Sequence, residues 1–145
     1  MNYDFPNKRQ WRRTLYSYVD QWSAKQRAQR RLLYLESSQA LETVFLVKQK
    51  GYKPTQLYPV CDSPAVQAWI TTNVERAGIR GLNVRNGSVE DVIRDYAREG
   101  IFFDSINLDF TGPLSPSMFL CLAKIGVCLR FRTIVSVPLP VRRRP

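Results

Sequence analysis

Four short segments of this chain place acids and hydroxyls where an apolar run stops. Glu36-Ser37-Ser38, with Glu42 close behind, follows Leu32–Leu35, and Asp62-Ser63-Pro64 follows the run Leu57–Cys61. Asn86-Gly87-Ser88 follows Leu82–Val84, and Asp109 ends the run that begins at Phe102 and leads into Phe110-Thr111-Gly112-Pro113. An acid at such a position can accept two hydrogen bonds from ribose hydroxyls, and a polar side chain can meet a base edge. Each has a plainer alternative. Ser38 and Glu42 also suit the first turn of a helix, where a hydroxyl caps and an acid meets the positive end of the dipole. Asp62 would do the same for the helix that opens at Ser63. Asn86-Gly87 is a turn pair, and Asp109 could anchor a turn, since an acid among Ile106 and Leu108 is costly unless it is paired. Histidine is absent, which removes every His-based triad. Without His or a C-x-x-C pair, no zinc site or other metal is expected. Acid–base chemistry is left to carboxylates, Tyr and Lys.

The elements that must position these residues alternate. Trp11, Leu15, Tyr18, Val19 and Trp22 fall on one helical face, so a first helix is expected from about Trp11 to Arg31, docking by its aromatic stripe and showing its cations to solvent. Residues before it read as disordered or extended. The run Leu32–Leu35 is a strand of the doubly buried kind. A helix opening at Ser37-Ser38 and closed by Gly51 follows. Leu57–Cys61 is the next strand, weakened by Pro59. Ser63 as N-cap and Pro64 at the first helical position open another helix, with Val66, Trp69, Ile70 and Val74 inward. A third strand is expected at Leu82–Val84, and a helix capped by Ser88 with Asp91 in a capping-box spacing. Phe102–Phe110 reads as a strand, Ser115-Pro116 to Gly126 as a helix with Phe119, Leu122 and Ala123 inward, and about Val127 to Val137 as the last strand. Such alternation predicts an α/β, three-layer Rossmann-like open sheet of about five mainly parallel strands in the order 3-2-1-4-5, with helices on both faces and a leading N-terminal helix. The ligand crevice then lies at the carboxyl ends of the first and fourth strands. The parts are a basic arm and helix (1–31), the Rossmann-like domain (32–138) and a basic tail (139–145) that reads as unstructured.

The formal net charge of +10 is unevenly spread. Residues 1–31 hold eight basic residues against two acids and residues 124–145 six against none, whereas the middle carries eight against ten. Basic ends on a nearly neutral core fit a polyanion such as nucleic acid, with Arg12, Arg13, Arg30, Arg31, Arg142, Arg143 and Arg144 as its contacts. Solvated, solubilising termini are the alternative. Three cysteines without paired spacing are no disulfide framework. No apolar run approaches the roughly 18 residues that span a bilayer, and Met1 to Arg13 lacks the apolar core of a secretory signal. No membrane partner and a cytoplasmic place are expected.

Residues 31–137 resemble the core of class I S-adenosylmethionine-dependent methyltransferases, especially the short, divergent kind carried by phages and plasmids, which would place the protein in a host cytoplasm. The resemblance rests on Leu32–Glu42, Tyr58–Pro64, Val84–Glu90 and Phe103–Gly112, at the positions of the family's first four motifs. It implies S-adenosylmethionine as cofactor, with Glu36, Ser38 and Glu42 facing its methionine part, Asp62 holding the ribose, Ser88 near the adenine and Asp109, the catalytic candidate, nearest the methyl group. The glycines of the family's first loop are missing here. The family usually continues past the fifth strand, so an exposed edge is expected there, open to pairing with a second copy. The functions implied are a methyltransferase acting on nucleic acid or protein, or a non-catalytic nucleic-acid- or protein-binding module of the same fold.

Overall fold

The computed structural model describes residues 6–109, 116–129 and 133–137. Its elements are α1 (Pro6–Trp22), β1 (Leu32–Leu35), α2 (Leu41–Lys48), β2 (Leu57–Cys61), α3 (Pro64–Arg76), β3 (Arg85–Asn86), α4 (Val89–Arg98), β4 (Ser105–Asn107), α5 (Pro116–Gly126) and β5 (Ile134–Ser136). The strands form one parallel sheet in the order β3-β2-β1-β4-β5. This is the expected open Rossmann-like sheet, with a leading helix.

Alternation of side chains along each strand sorts the core into two layers. Leu33, Val60 and Ile106 point to the face covered by α4 and α5, where they meet Val92, Ile93, Tyr96 and Ile125. Leu32, Tyr34 and Leu57 point to the opposite face, against Leu15, Tyr16 and Val19 of α1 and Phe45 and Leu46 of α2. Ile70 and Val74 of α3 close the same layer beside Ala40 and Cys61. Pro59 is tolerated inside β2. Val60 turns its carbonyl to Glu36, so Pro59 faces the β3 side, where pairing starts only at Val60 opposite Arg85.

Several boundaries differ from the sequence expectation, each for a local reason. The first helix starts at Pro6 and stops at Trp22, nine residues before Arg31. The chain then folds back so that Asp20 gathers Arg27 at 2.9 Å, Arg30 at 2.8 Å and Lys50 at 2.9 Å, and Arg30 also donates to the Lys25 carbonyl at 2.9 Å. No glycine or proline marks this stop. The buried face of α1 is also rotated. Leu15, Tyr16 and Val19 are buried, while Tyr18 and Trp22 are exposed. Trp69 of α3 is exposed as well, so two of the three tryptophans expected in the core stand at the surface. The third strand is Arg85–Asn86 rather than Leu82–Val84, because the Val84 carbonyl takes a hydrogen bond from the Gln67 side chain (2.8 Å) instead of a neighbouring strand. The fourth strand is three residues long. Phe103, just before it, packs edge-on against Tyr58 and Tyr96. In α5 the buried positions are Cys121 and Ile125, with Ala123 exposed; the Phe119 side chain, residues 110–115 and the tail 138–145 lie outside the described residues.

Candidate functional site

A cavity of about 540 Å³ opens at the carboxyl edge of the sheet. Its floor is the ends of β1 and β2, and its walls are the loop into α2, the start of α4, the residue Asp109 after β4 and the first two turns of α1. Leu35, Leu41, Val60, Val66 and Val89 supply apolar surface. Glu36, Ser38, Glu42, Asp62, Ser88 and Asp109 all line it, so residues from four separate stretches of chain meet in one place.

The loop after β1 is held by its own acid. Glu36 is buried and accepts hydrogen bonds from the Ser37 amide (2.9 Å), the Thr43 amide (2.8 Å) and the Thr43 hydroxyl (2.7 Å). Thr43 lies in the first turn of α2, whose N-cap is Ala40, a residue with no acceptor side chain. Glu36 therefore does the capping that the sequence assigns to Ser37, Ser38 or Glu42. Burial raises its pKa, against the pull of the Thr43 and Ser37 donors. Ala40 is left-handed at φ 55°, so the loop makes without glycine a turn that favours one. The Ser38 carbonyl is tied to Asn73 of α3 at 2.7 Å.

Glu42 is the central acid of the cavity. One oxygen, Oε1, accepts from the Tyr16 hydroxyl of α1 and from Asn107 Nδ2 of β4 at 2.8 Å. The other oxygen has no hydrogen-bond partner among the described residues. Burial, then the nearby Glu36 charge, pushes its pKa up to about 7, while the Tyr16 and Asn107 donors oppose the rise. Asn107 is held in turn by Ser136 of β5 at 3.2 Å. The network thus spans α1, α2, β4 and β5.

Asp62 is exposed at the rim, one residue before Ser63, which caps α3 by accepting from the Val66 amide at 3.2 Å. Ser88 is the N-cap of α4 but makes no capping hydrogen bond. The expected capping box is not formed, because Asp91 turns to Arg94 at 3.1 Å. Gly87 lines the cavity at φ 140° and donates to the Cys61 carbonyl at 2.9 Å, a backbone posture that side chains rarely adopt. Asp109 pairs with Lys8 at 3.0 Å, joining the end of β4 to the first turns of α1.

Lys8 and Arg12 of α1, like Glu90 of α4, are charged cavity residues that the sequence reading missed as such. Lys8, Arg12 and Tyr16 are successive one-turn steps on α1, a polar row that crosses into the interior. That spacing was the available signal, hidden by the stronger aromatic stripe beside it. The expected polyanion contacts stand in different surroundings. Arg12 lines the cavity and lies over the Phe45 ring at 5.8 Å, and Arg30 is buried against Asp20 and Tyr52. Arg13 and Arg31 are exposed, and Arg142, Arg143 and Arg144 lie outside the described residues. Among the described residues, no group of three metal-ligating side chains comes together, and no helix is long and apolar enough to cross a membrane.

No family model matches this chain, and no curated protein matches it by sequence. Solved structures do. A methyltransferase from Agrobacterium tumefaciens, described as SAM-dependent, superposes with a TM-score of 0.65 at 16% identity, over 97% of this chain and 46% of its own. An O-methyltransferase from Bacillus cereus in complex with SAH gives 0.62 at 19%, over 90% and 55%. A mutant of MtNAS in complex with S-adenosylmethionine gives 0.63 at 18%, over 87% and 44%. The chain spans about half the length of these proteins. It has the Rossmann-like fold of the class I S-adenosylmethionine-dependent methyltransferases.

Proposed function

We propose that the cavity binds S-adenosylmethionine and that the protein is a methyltransferase whose acceptor is a nucleic acid. The observation that carries this reading is the convergence of Glu36, Ser38, Glu42, Asp62, Ser88 and Asp109 on one cavity of about 540 Å³. That volume suits a ligand of nucleoside size with a short side chain. The lining fits the group chemically. Val60, Val66 and Val89 offer an apolar slot for a base, Asp62 stands at the rim with a carboxylate for ribose hydroxyls, and Glu42 lines the cavity with a second carboxylate oxygen that no described residue engages, suited to a cationic group. When bound, S-adenosylmethionine supplies a methyl group on a positively charged sulfur, already electrophilic.

The chain's own task is then to hold and orient. Glu36 fixes the loop by capping α2, and Glu42, kept in place by Tyr16 and Asn107, meets positive charge at the floor. Ser88, free of capping, has its hydroxyl available at the base end. Asp109 stands beside the crevice with Lys8, where an acceptor would displace the ion pair to use the carboxylate. The basic ends of the chain favour a polyanionic acceptor.

Calorimetric titration with S-adenosylmethionine and S-adenosylhomocysteine tests the reading. Saturable binding of both is expected, weakened about tenfold or more by Asp62→Ala, since each hydrogen bond to a charged group is worth about 1.5–3 kcal/mol. Absence of heat and of any thermal shift with either compound would refute it. Binding without methyl transfer to oligonucleotides would leave a cofactor-binding module that does not catalyse this reaction.

A further inference from the structure

The rotation of α1 leaves an aromatic strip uncovered. Tyr18 and Trp22 stand one turn apart, 56% and 66% exposed, and Trp11, two turns before Tyr18, is only partly buried on the same flank. The opposite flank of α1 is occupied: Asp20 binds Lys50 beyond α2, and Arg12 lies over Phe45 of α2. The strip therefore faces away from α2, toward the β4 side, where Lys25 approaches Asp104 at 3.7 Å and the Arg31 amide donates to Asp104 at 2.8 Å.

The surroundings are cationic, and the acids nearby are already engaged. Asp20 is taken by three basic side chains. Asp104 is largely buried between Lys25 and the Arg31 amide. The Arg31 side chain is exposed and Lys25 half-exposed at the end of the strip.

We propose that this flank of α1 binds single-stranded nucleic acid, with bases stacking on Tyr18 and Trp22 and phosphates meeting Lys25 and Arg31. Exposed aromatic faces beside cations are what an unpaired strand requires, because its bases are free to stack and its backbone is uniformly negative. A duplex offers no free base faces. A second copy of this chain is a poor occupant, since two molecules of net charge +10 repel each other. The helix runs from this strip to Lys8 at the cavity, so a strand lying along it ends at the crevice mouth. The binding itself does not depend on the cofactor reading.

The test is fluorescence anisotropy of a labelled single-stranded oligonucleotide with the full chain, beside tryptophan quenching by unlabelled strand. Wild type should bind the single strand more tightly than the duplex. Trp22→Ala and Tyr18→Ala should each weaken binding about fivefold or more, as expected for loss of a stacked base. The Lys25→Gln, Arg31→Gln pair should flatten the salt dependence by about 1.4 in log–log slope. Trp69→Ala, on α3 away from the strip, should change nothing. Circular dichroism confirms folding, and Trp22→Gln replaces any variant that fails it. Unchanged affinity on losing both aromatics, equal binding of duplex and single strand, or no binding at low salt would overturn the proposal. So would a wild-type dimer in sedimentation that Trp22→Ala dissociates without altering oligonucleotide binding. Cofactor titration of the same variants separates this outcome from failure of the cavity reading.

Discussion

Replacing Glu42 by glutamine removes one negative charge and almost nothing else. The amide oxygen can still accept from both Tyr16 and Asn107, and the amide nitrogen takes the position of the oxygen that has no partner among the described residues. The magnitude follows from linkage. The carboxyl titrates at about 7 in the folded protein against 4.5 unperturbed. Folding therefore favours the protonated form, and below pH 4.5 the group costs nothing. As pH rises from 4.5 to 7 the unfolded chain gives up its proton while the folded one holds it, so stability falls; above 7 the loss is constant. At about 1.4 kcal/mol per pKa unit the full loss is about 3 kcal/mol. Glu42→Gln should thus be about 3 kcal/mol more stable than wild type at pH 8, a rise of about 6–12 °C in Tm for a chain of this size. At pH 4 the two should agree within about 0.5 kcal/mol. Thermal and urea unfolding of both proteins at the two pH values measure this directly. A gap of the same size at both pH values would refute the reasoning by showing that folding does not shift the carboxyl, and a variant less stable at pH 8 would refute it by showing that Glu42 is ionised and favourably paired in the fold. The same variant should bind S-adenosylmethionine about tenfold or more weakly. A gain in stability with a loss of binding is what a strained functional acid predicts.

Two further substitutions test the scaffold. Ser63→Ala removes the cap of α3 and should cost about 1 kcal/mol, read as a drop of about 3 °C in Tm; no change would mean that Asp62 or water replaces the cap. Ile106→Ala empties a fully buried position in β4 between α4 and α5 and should cost about 2–5 kcal/mol in urea unfolding; a loss below about 1 kcal/mol would place this face outside the cooperative core.

The aromatic flank and the acid network show where sequence reading reaches its limit. Tyr16 and Tyr18 are the same residue type two positions apart, and apolar periodicity favours Tyr18. The fold chooses Tyr16 because only there does the hydroxyl find a carboxylate, Glu42, in the interior. That carboxylate is itself recruited from the first turn of α2, where sequence suggests a surface cap. Arg30 is a similar case. Its basic neighbours suggest a solvent-facing helix, yet Asp20 and Tyr52 draw it inward from distant positions.

Local patterns by themselves determined the alternation of strands and helices, the start of α3, the strand order through right-handed crossovers, and the edge of the sheet at which acids and hydroxyls gather. These follow from side-chain periodicity and capping chemistry, which act over a few residues. Tertiary structure decided which face of α1 is buried, that Lys8 and Arg12 close the cavity, and that Glu42 titrates near neutral pH. Each depends on a partner far along the chain, and the free energy of a buried polar group is set by that partner rather than by its sequence neighbours.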